Sequence, residues 1–398
     1  MTVGRISCRE IQRPELPAQP AEVPVEHGAT QGGDSLNSLR QPARIRSPAQ
    51  SQKTTVPTWL QQADRSYISE VRAILRARFK LRRGYQSFSQ QPQGKPPAGF
   101  YPVSVGASYA HQISTGDVDA EPRDRTPLVP RGHHLNADWV QELHGKKWWI
   151  ATKVLSETAY TFLSVLLEPV SPPGLPASRV RTIVELSDDT EPRRRLAHPY
   201  LPGAVGHSMV VHEDLGVSNR SFEVTVTGED VITDIHCTRR TVVITQQFGG
   251  VAKGTPILLD HLSCTAWPCY KPPDHGGYRA VVDFVIQVDT INRKLTLPKD
   301  DPDPPVIVTC SSHYDSTDAF ITLSSLLRSH SRLPPAPISA QSQSLLSLSP
   351  LGPLPPKMSE DPILQEIESY REHRPRMVPT LMQFSFLYST LERVLFSG

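Results

Sequence analysis

Cys310 stands at the end of a short β-branched run, Val306-Ile307-Val308-Thr309. A polar stretch, Ser311 to Asp318, separates it from an apolar helical segment, Phe320-Ile321-Thr322-Leu323 with Leu326-Leu327. A thiol between the end of a buried strand and the start of a helix meets inward-pointing backbone N–H groups and the positive end of the helix dipole. Both favour the thiolate, which is the nucleophilic form. The same donors can hold a tetrahedral oxyanion. Nucleophilic catalysis is therefore one reading of this unit, and a packed structural cysteine is the other, because cysteine is among the most buried residue types. His261, Cys264, Cys269 and His275 also lie within a short span, but their spacing matches no standard structural zinc pattern. No P-loop or dinucleotide fingerprint is present, and no metal or cofactor is expected.

The surrounding elements must carry that cysteine. Residues 1–55 are rich in Pro, Gln, Ser and Arg without apolar periodicity, which predicts a disordered tail. Order is expected from Val56-Pro57-Thr58-Trp59-Leu60. Ile68, Val71, Leu75 and Phe79 follow at helical spacing, and the basic tail Lys80 to Arg83 suits the negative end of that helix. Lys147 to Thr152 reads as a buried strand, Glu157 to Leu167 as a helix and Val180 to Leu186 as another strand, with a Pro-rich loop at 169–176. Several short β-rich runs between residues 205 and 265 predict an antiparallel meander with a turn at Gly228-Glu229-Asp230. Tyr278 to Thr290 reads as a helix. A low-complexity, mobile insertion is expected at 333–358, and helices near Ile363 to Arg371 and from Thr380 to Phe396 close the chain. Strands interleaved with helices and a meander predict an α+β domain over residues 56–398, built around a twisted mixed β-sheet flanked by helices.

Composition narrows the partners. Lys+Arg 42 against Asp+Glu 40 leaves no basic excess, so nucleic acid is a poor default partner. The five cysteines are odd in number and contain no C-x-x-C pair, which fits a reduced, cytoplasmic (or nuclear) chain. No apolar run approaches the roughly 20 residues that span a bilayer, and membrane association is not expected.

The order of elements resembles that of the tyrosine-specific, cysteine-dependent protein phosphatases. Asp303 to Ser311, continuing through Phe320 to Leu327, is similar to their signature-loop region. Leu135-Asn136-Ala137-Asp138-Trp139-Val140 resembles the "YINAS" strand, and Trp149-Ile150-Ala151-Thr152 with Glu157-Thr158-Ala159 resembles the "FIATQ…ET" segment. Arg195 to Pro202 is similar to "KCxxYWP", and Ala266-Trp267-Pro268 sits where the WPD loop begins. Arg374 to Thr380, with Gln383 and Phe386-Leu387-Tyr388, resembles the closing stretch. The resemblance implies the phosphotyrosine-phosphatase-like fold and hydrolysis through a phosphocysteine.

The chemistry around the nucleophile position departs from that family. Its loop reads H-C-x-x-G-x-x-R-[ST]-G, whereas this chain has Thr309, Cys310, Ser311, Ser312, His313, Tyr314, Asp315, Ser316, Thr317 and Asp318. Ser316 replaces the arginine whose fork grips phosphate. His313 and Asp318 stand on the glycines of that pattern and Asp315 on a further position where the family uses glycine, and the two carboxylates oppose a dianion. Losing one charged contact costs about 1.5–3 kcal/mol. The WPD acid position falls on Cys269, with Asp274 a possible displaced acid. Loss of a general acid costs about 10²–10⁴ in rate. The water-positioning glutamine falls on Pro379, leaving the later Gln383, and Lys153 replaces the glutamine after "IAT". The reading is a catalytically impaired pseudophosphatase that binds or scaffolds a phosphotyrosine protein or another signalling protein. The alternative is an active phosphatase working through Cys310.

Overall fold

Why the centre of the sheet is parallel follows from its strands, which are short, apolar and buried on both faces. The computed structural model describes residues 56–89, 128, 135, 137–152, 154, 158–186, 200–213, 219–264, 267, 277–294, 301–310, 315–337, 351–373 and 380–396. Helix α1 (Thr58–Gln61) and the long α2 (Arg65–Ser89) precede strands β1 (Ala137–Gln141) and β2 (Trp148–Thr152). Helix α3 (Ala159–Leu167), β3 (Thr182–Leu186) and β4 (Ser208–His212) follow. Then come β5 (Arg220–Ile232), β6 (Cys237–Phe248), β7 (Val251–Cys264), α4 (Gly277–Lys294) and β8 (Val306–Cys310). Helices α5 (Asp315–Ser329), α6 (Pro362–Tyr370) and α7 (Leu381–Leu391) close the order, with a π-helical turn at Glu392–Phe396. Val56–Gly398 forms one compact unit.

The eight strands make one mixed sheet in the order β1-β2-β8-β3-β7-β6-β5-β4. β8 lies between β2 and β3 and is parallel to both. Alternation along the central strands divides the apolar residues between two cores. Trp149, Ala151, Val184, Leu186, Val306, Val308 and Cys310 face the core built with α2, α4, α5, α6 and α7. Trp148, Ile150, Ile183 and Ile307 face the other core, built with α3 and the inner faces of β5 and β6. This period of two belongs to any pleated strand.

Several sequence expectations change at the boundaries. Between residues 205 and 265, β4 is short, with 5 residues, but β5, β6 and β7 are long strands of 13, 12 and 14 residues. Gly228-Glu229-Asp230 lies inside β5, where a register shift between Val226 and Gly228 marks a bulge. An isolated glycine in a strand signals a bulge as readily as a turn. The real turn is Gly249-Gly250, whose φ values of 57° and 79° permit the two-residue hairpin between β6 and β7. Helix α2 runs on to Ser89, so the basic residues after Lys80 are not its tail. Arg82, fully buried, is ion-paired with Glu368 and Glu372 instead. Its carboxylate partners lie nearly 300 residues away in sequence, so the local sequence offers only the helix dipole as a partner for this cation.

The expected tail, residues 1–55, lies outside the described residues. So do residues 338–350 of the Pro/Ser/Leu-rich stretch, but its flanks are bound into the domain. Leu333, Ala336 and Met358 are buried, and the carbonyls of Leu351, Gly352 and Pro353 accept from the Arg78 guanidinium. Asp361 caps α6 by accepting from Ile363 N at 3.0 Å and Leu364 N at 3.2 Å. Its other oxygen accepts from Tyr67 at 2.9 Å and from Tyr388. One carboxylate thus joins α2, α6 and α7.

Candidate functional site

Cys310 is the last residue of β8, 3% exposed and in register with Leu186 of β3. It therefore sits at the carboxyl end of parallel strands, where open α/β sheets place ligands. What holds it is the opposite end of the same strand. Asp303, just before β8, pairs with Lys147 and, at 2.8 Å, with Arg293. Asn292 donates to the Asp303 carboxylate at 3.0 Å and to the Pro304 carbonyl at 2.9 Å. Thr182 of β3 donates to Asn292 Oδ1 at 2.9 Å, which ties the neighbouring strand to the same point.

The network continues beneath α5. Asp289 accepts from Arg328 at 2.8 Å and from Arg293 at 2.9 Å, and lies 3.7 Å from Lys147. Burial raises the Asp289 pKa, but Lys147, Arg328 and Arg293 outweigh it and hold the carboxyl below its ordinary range. Glu142 accepts from Trp149 Nε1 at 2.8 Å, Ser324 Oγ at 2.9 Å and Arg328 Nε at 3.2 Å. A Cβ on Gly145 would lie 2.0 Å from the Glu142 carboxylate, so glycine is needed for this close approach. Lys147, Arg293 and Arg328 are matched by Glu142, Asp289 and Asp303. Such a set is tolerated in a low-dielectric interior only because each charge has an opposite partner. None of these six residues emerges from sequence reading. The available signal was Lys147 standing directly against the apolar strand Trp148-Trp149-Ile150.

Glu366, also fully buried, accepts from Leu143 N at 2.6 Å and His144 N at 3.1 Å. Burial pushes its carboxyl up to about 7, against those bonds, which favour the charged form. A carboxyl raised by folding binds its proton more tightly in the native state, so stability falls as pH rises from the unfolded value toward 7. We expect the wild type to lose about 3 kcal/mol relative to Glu366→Gln between pH 4.5 and pH 8. Urea titrations at several pH values test this, and parallel pH profiles for the two proteins would refute it.

The phosphate-loop positions divide. Ser311, Ser312, His313 and Tyr314 lie outside the described residues, whereas Asp315 already opens α5. The helix therefore begins several residues before the expected Phe320. Asp315-Ser316-Thr317-Asp318 has the composition of a helix start, since Asp, Ser and Thr are favoured near helix N-termini and acidic residues suit the positive end of the dipole. Polar composition made that turn look like loop. Ser316 is 2% exposed, and Thr317 and Asp318 are likewise buried. The only basic residue in α5 is Arg328, at the far end and already bonded to Glu142 and Asp289.

The other candidates are not gathered at Cys310 by any described contact of their own. Cys269 and Asp274 lie outside the described residues, as do Lys153 and Pro379. Trp267 is buried at 2% exposure, its ring 5.7 Å from Phe320 of α5 and 6.0 Å from Phe386 of α7. The structure places Gln383 on α7. It is buried in the first turn of α7, where its Oε1 accepts from Thr380 Oγ1 at 3.0 Å and its N–H donates to the same oxygen at 3.2 Å. That is a helix cap, the role that a Thr-x-x-Gln spacing commonly takes. On the opposite face of the sheet, His261 Nε2 lies 3.2 Å from Glu185 and 3.3 Å from the Tyr200 hydroxyl. Burial first, and Glu185 second, hold the Tyr200 phenol well above its ordinary pKa.

Comparison with known proteins bears on the family and the fold. Residues 115–346 match the family model described as protein-tyrosine phosphatase. No curated protein matches the chain in sequence. Among solved structures, a PTPN18 structure concerned with HER2 tyrosine phosphorylation sites is 16% identical, with TM-score 0.55, covering 83% of this chain and 95% of that one. The Trypanosoma brucei protein tyrosine phosphatase TbPTP1 is 17% identical, with TM-score 0.51, covering 80% and 93% respectively. PTPN18 in complex with HER2 phosphopeptides is 17% identical, with TM-score 0.52, covering 84% and 95%.

Proposed function

This chain belongs to the protein-tyrosine phosphatase family, and we propose that it acts within that family as a non-hydrolysing binding or scaffolding domain for a phosphotyrosine-bearing signalling protein. The observation that carries the reading is Ser316, a buried residue in the first turn of α5, at the position where the family's loop has its phosphate-gripping arginine. A serine hydroxyl offers one neutral donor where a planar cation would offer a charged fork. The basic residue of the same helix cannot substitute, because Arg328 is held by Glu142 and Asp289. Cys269 at the acid position removes the proton donor for the leaving phenolate. The thiol of Cys310 alone can attack, but the charge that develops is left without its cation and the leaving group without its acid.

The ligand class follows from the family and is supported by PTPN18, which is seen in complex with HER2 phosphopeptides. Calorimetric titration of a phosphotyrosine peptide into the full chain, with phosphate release followed in parallel, tests the reading. Turnover is expected to be lower than that of an intact site by about 10³-fold or more, and indistinguishable from a Cys310→Ser control. Phosphate release that disappears in Cys310→Ser would overturn it. Heat of binding without release identifies phosphotyrosine as the ligand, whereas absence of both removes phosphotyrosine from the proposal.

A further inference from the structure

Three of the chain's cysteines stand in one row across the sheet. Cys237, the first residue of β6, is directly opposite Cys264, the last residue of β7. Cys264 is in register with Leu186 of β3, and Leu186 with Cys310 of β8. All four residues face the same core, as neighbours in one cross-strand row must. The three cysteines are thiols in this structure.

Directly opposed residues of an antiparallel pair have Cα atoms about 4.5 or 5.5 Å apart, depending on the hydrogen-bonding pattern. Both spacings fall in the window of about 4.4–6.8 Å that a disulfide spans. Cys310 is two strands from Cys264, about 9–10 Å, which is beyond direct bridging. The row therefore selects one pair and excludes the nucleophile position from it.

We propose that Cys237 and Cys264 form an oxidisable dithiol, closed by hydrogen peroxide to a cross-strand disulfide and reopened by a small thiol. The Cys264 sulfur attacks one peroxide oxygen, the O–O bond breaks, and a sulfenic acid and water result. The Cys237 sulfur then attacks the Cys264 sulfur, the S–O bond breaks, and a second water leaves with the Cys237 proton. Two thiols thus give two electrons to one peroxide. Burial pushes the Cys237 thiol up to about 12, which keeps its thiolate scarce and makes its attack on the sulfenic acid the slow step. Cys237 and Cys264 are themselves 1% and 2% exposed, and the residue before Cys237, His236, is exposed with a left-handed φ of 48°. Closing the bridge locks the end of β7 to β6 three residues before Trp267, whose ring packs on α5.

The test is a peptide map of the native full chain after hydrogen peroxide treatment, alkylated in denaturant and digested without reduction. The expected product is a Cys237–Cys264 linked pair, two hydrogens lighter than the separate peptides and lost on dithiothreitol treatment. It should persist in Cys310→Ser and vanish in Cys264→Ser. The wild-type map needs no variant to fold, so it decides alone. Alkylated Cys237 and Cys264 at a peroxide dose that oxidises Cys8 or Cys269 would overturn the proposal, as would Cys264 linked to any other cysteine.

Discussion

Replacing Arg82 with methionine is expected to lower the unfolding free energy by about 3–5 kcal/mol, the range for breaking a buried ion pair from one side. Arg82 is wholly buried on α2, and its guanidinium donates to Glu372 at 2.6 and 3.1 Å and also to Glu368. Arg78, one turn earlier, shares Glu368. Methionine fills much of the space but leaves the two carboxylates facing one arginine. The cost is therefore the uncompensated charge rather than a cavity. Adding Glu372→Gln to Arg82→Met should recover part of the loss, because it removes the stranded charge. Urea denaturation of the four proteins in the cycle measures both effects. A loss below about 1 kcal/mol, typical of a solvent-exposed pair, would show that α2 is not locked in this way. The result bears on where the domain begins, because α2 precedes residues 115–346, which carry the family match.

The second large effect is expected at Asp303. Asp303→Ala removes the partner of Lys147, which is 2% exposed, and one of the two carboxylates bonded to Arg293. Asp289 remains at 3.7 Å from Lys147, too far for a direct hydrogen bond. A loss of about 3–5 kcal/mol is expected. Lys147→Met in the same background should restore part of it, since an apolar pair of similar volume is tolerated better than half an ion pair. Asp303 stands at the foot of β8 and Cys310 at its head, so the substitution also loosens the strand that positions the thiol. Denaturant midpoints for the single and double variants measure the coupling, and strict additivity would refute it.

What the sequence by itself determined is local. The β-branched run before Cys310 predicts a buried strand, and Val306–Cys310 is one. Helical spacing of Ile68, Val71 and Leu75 marks a buried stripe, and all three are buried in α2. The α+β class and the phosphatase-like order of segments were also legible, because hydrophobic periodicity and short motifs are written along the chain. The replacement of the loop arginine by Ser316 is likewise a fact of sequence. Only the tertiary structure decided how far the helix of Asp315 reaches toward Cys310, because short polar residues serve loops and first helical turns equally well. Only it turned Gln383 into a capping residue, Gly228 into a bulge, and Arg82, Glu142 and Asp303 into buried ion-pair members. It alone set Cys237 opposite Cys264. Partners distant along the chain are chosen by strand register and helix packing, and a charged side chain reads the same in sequence whether it meets water or a buried opposite charge.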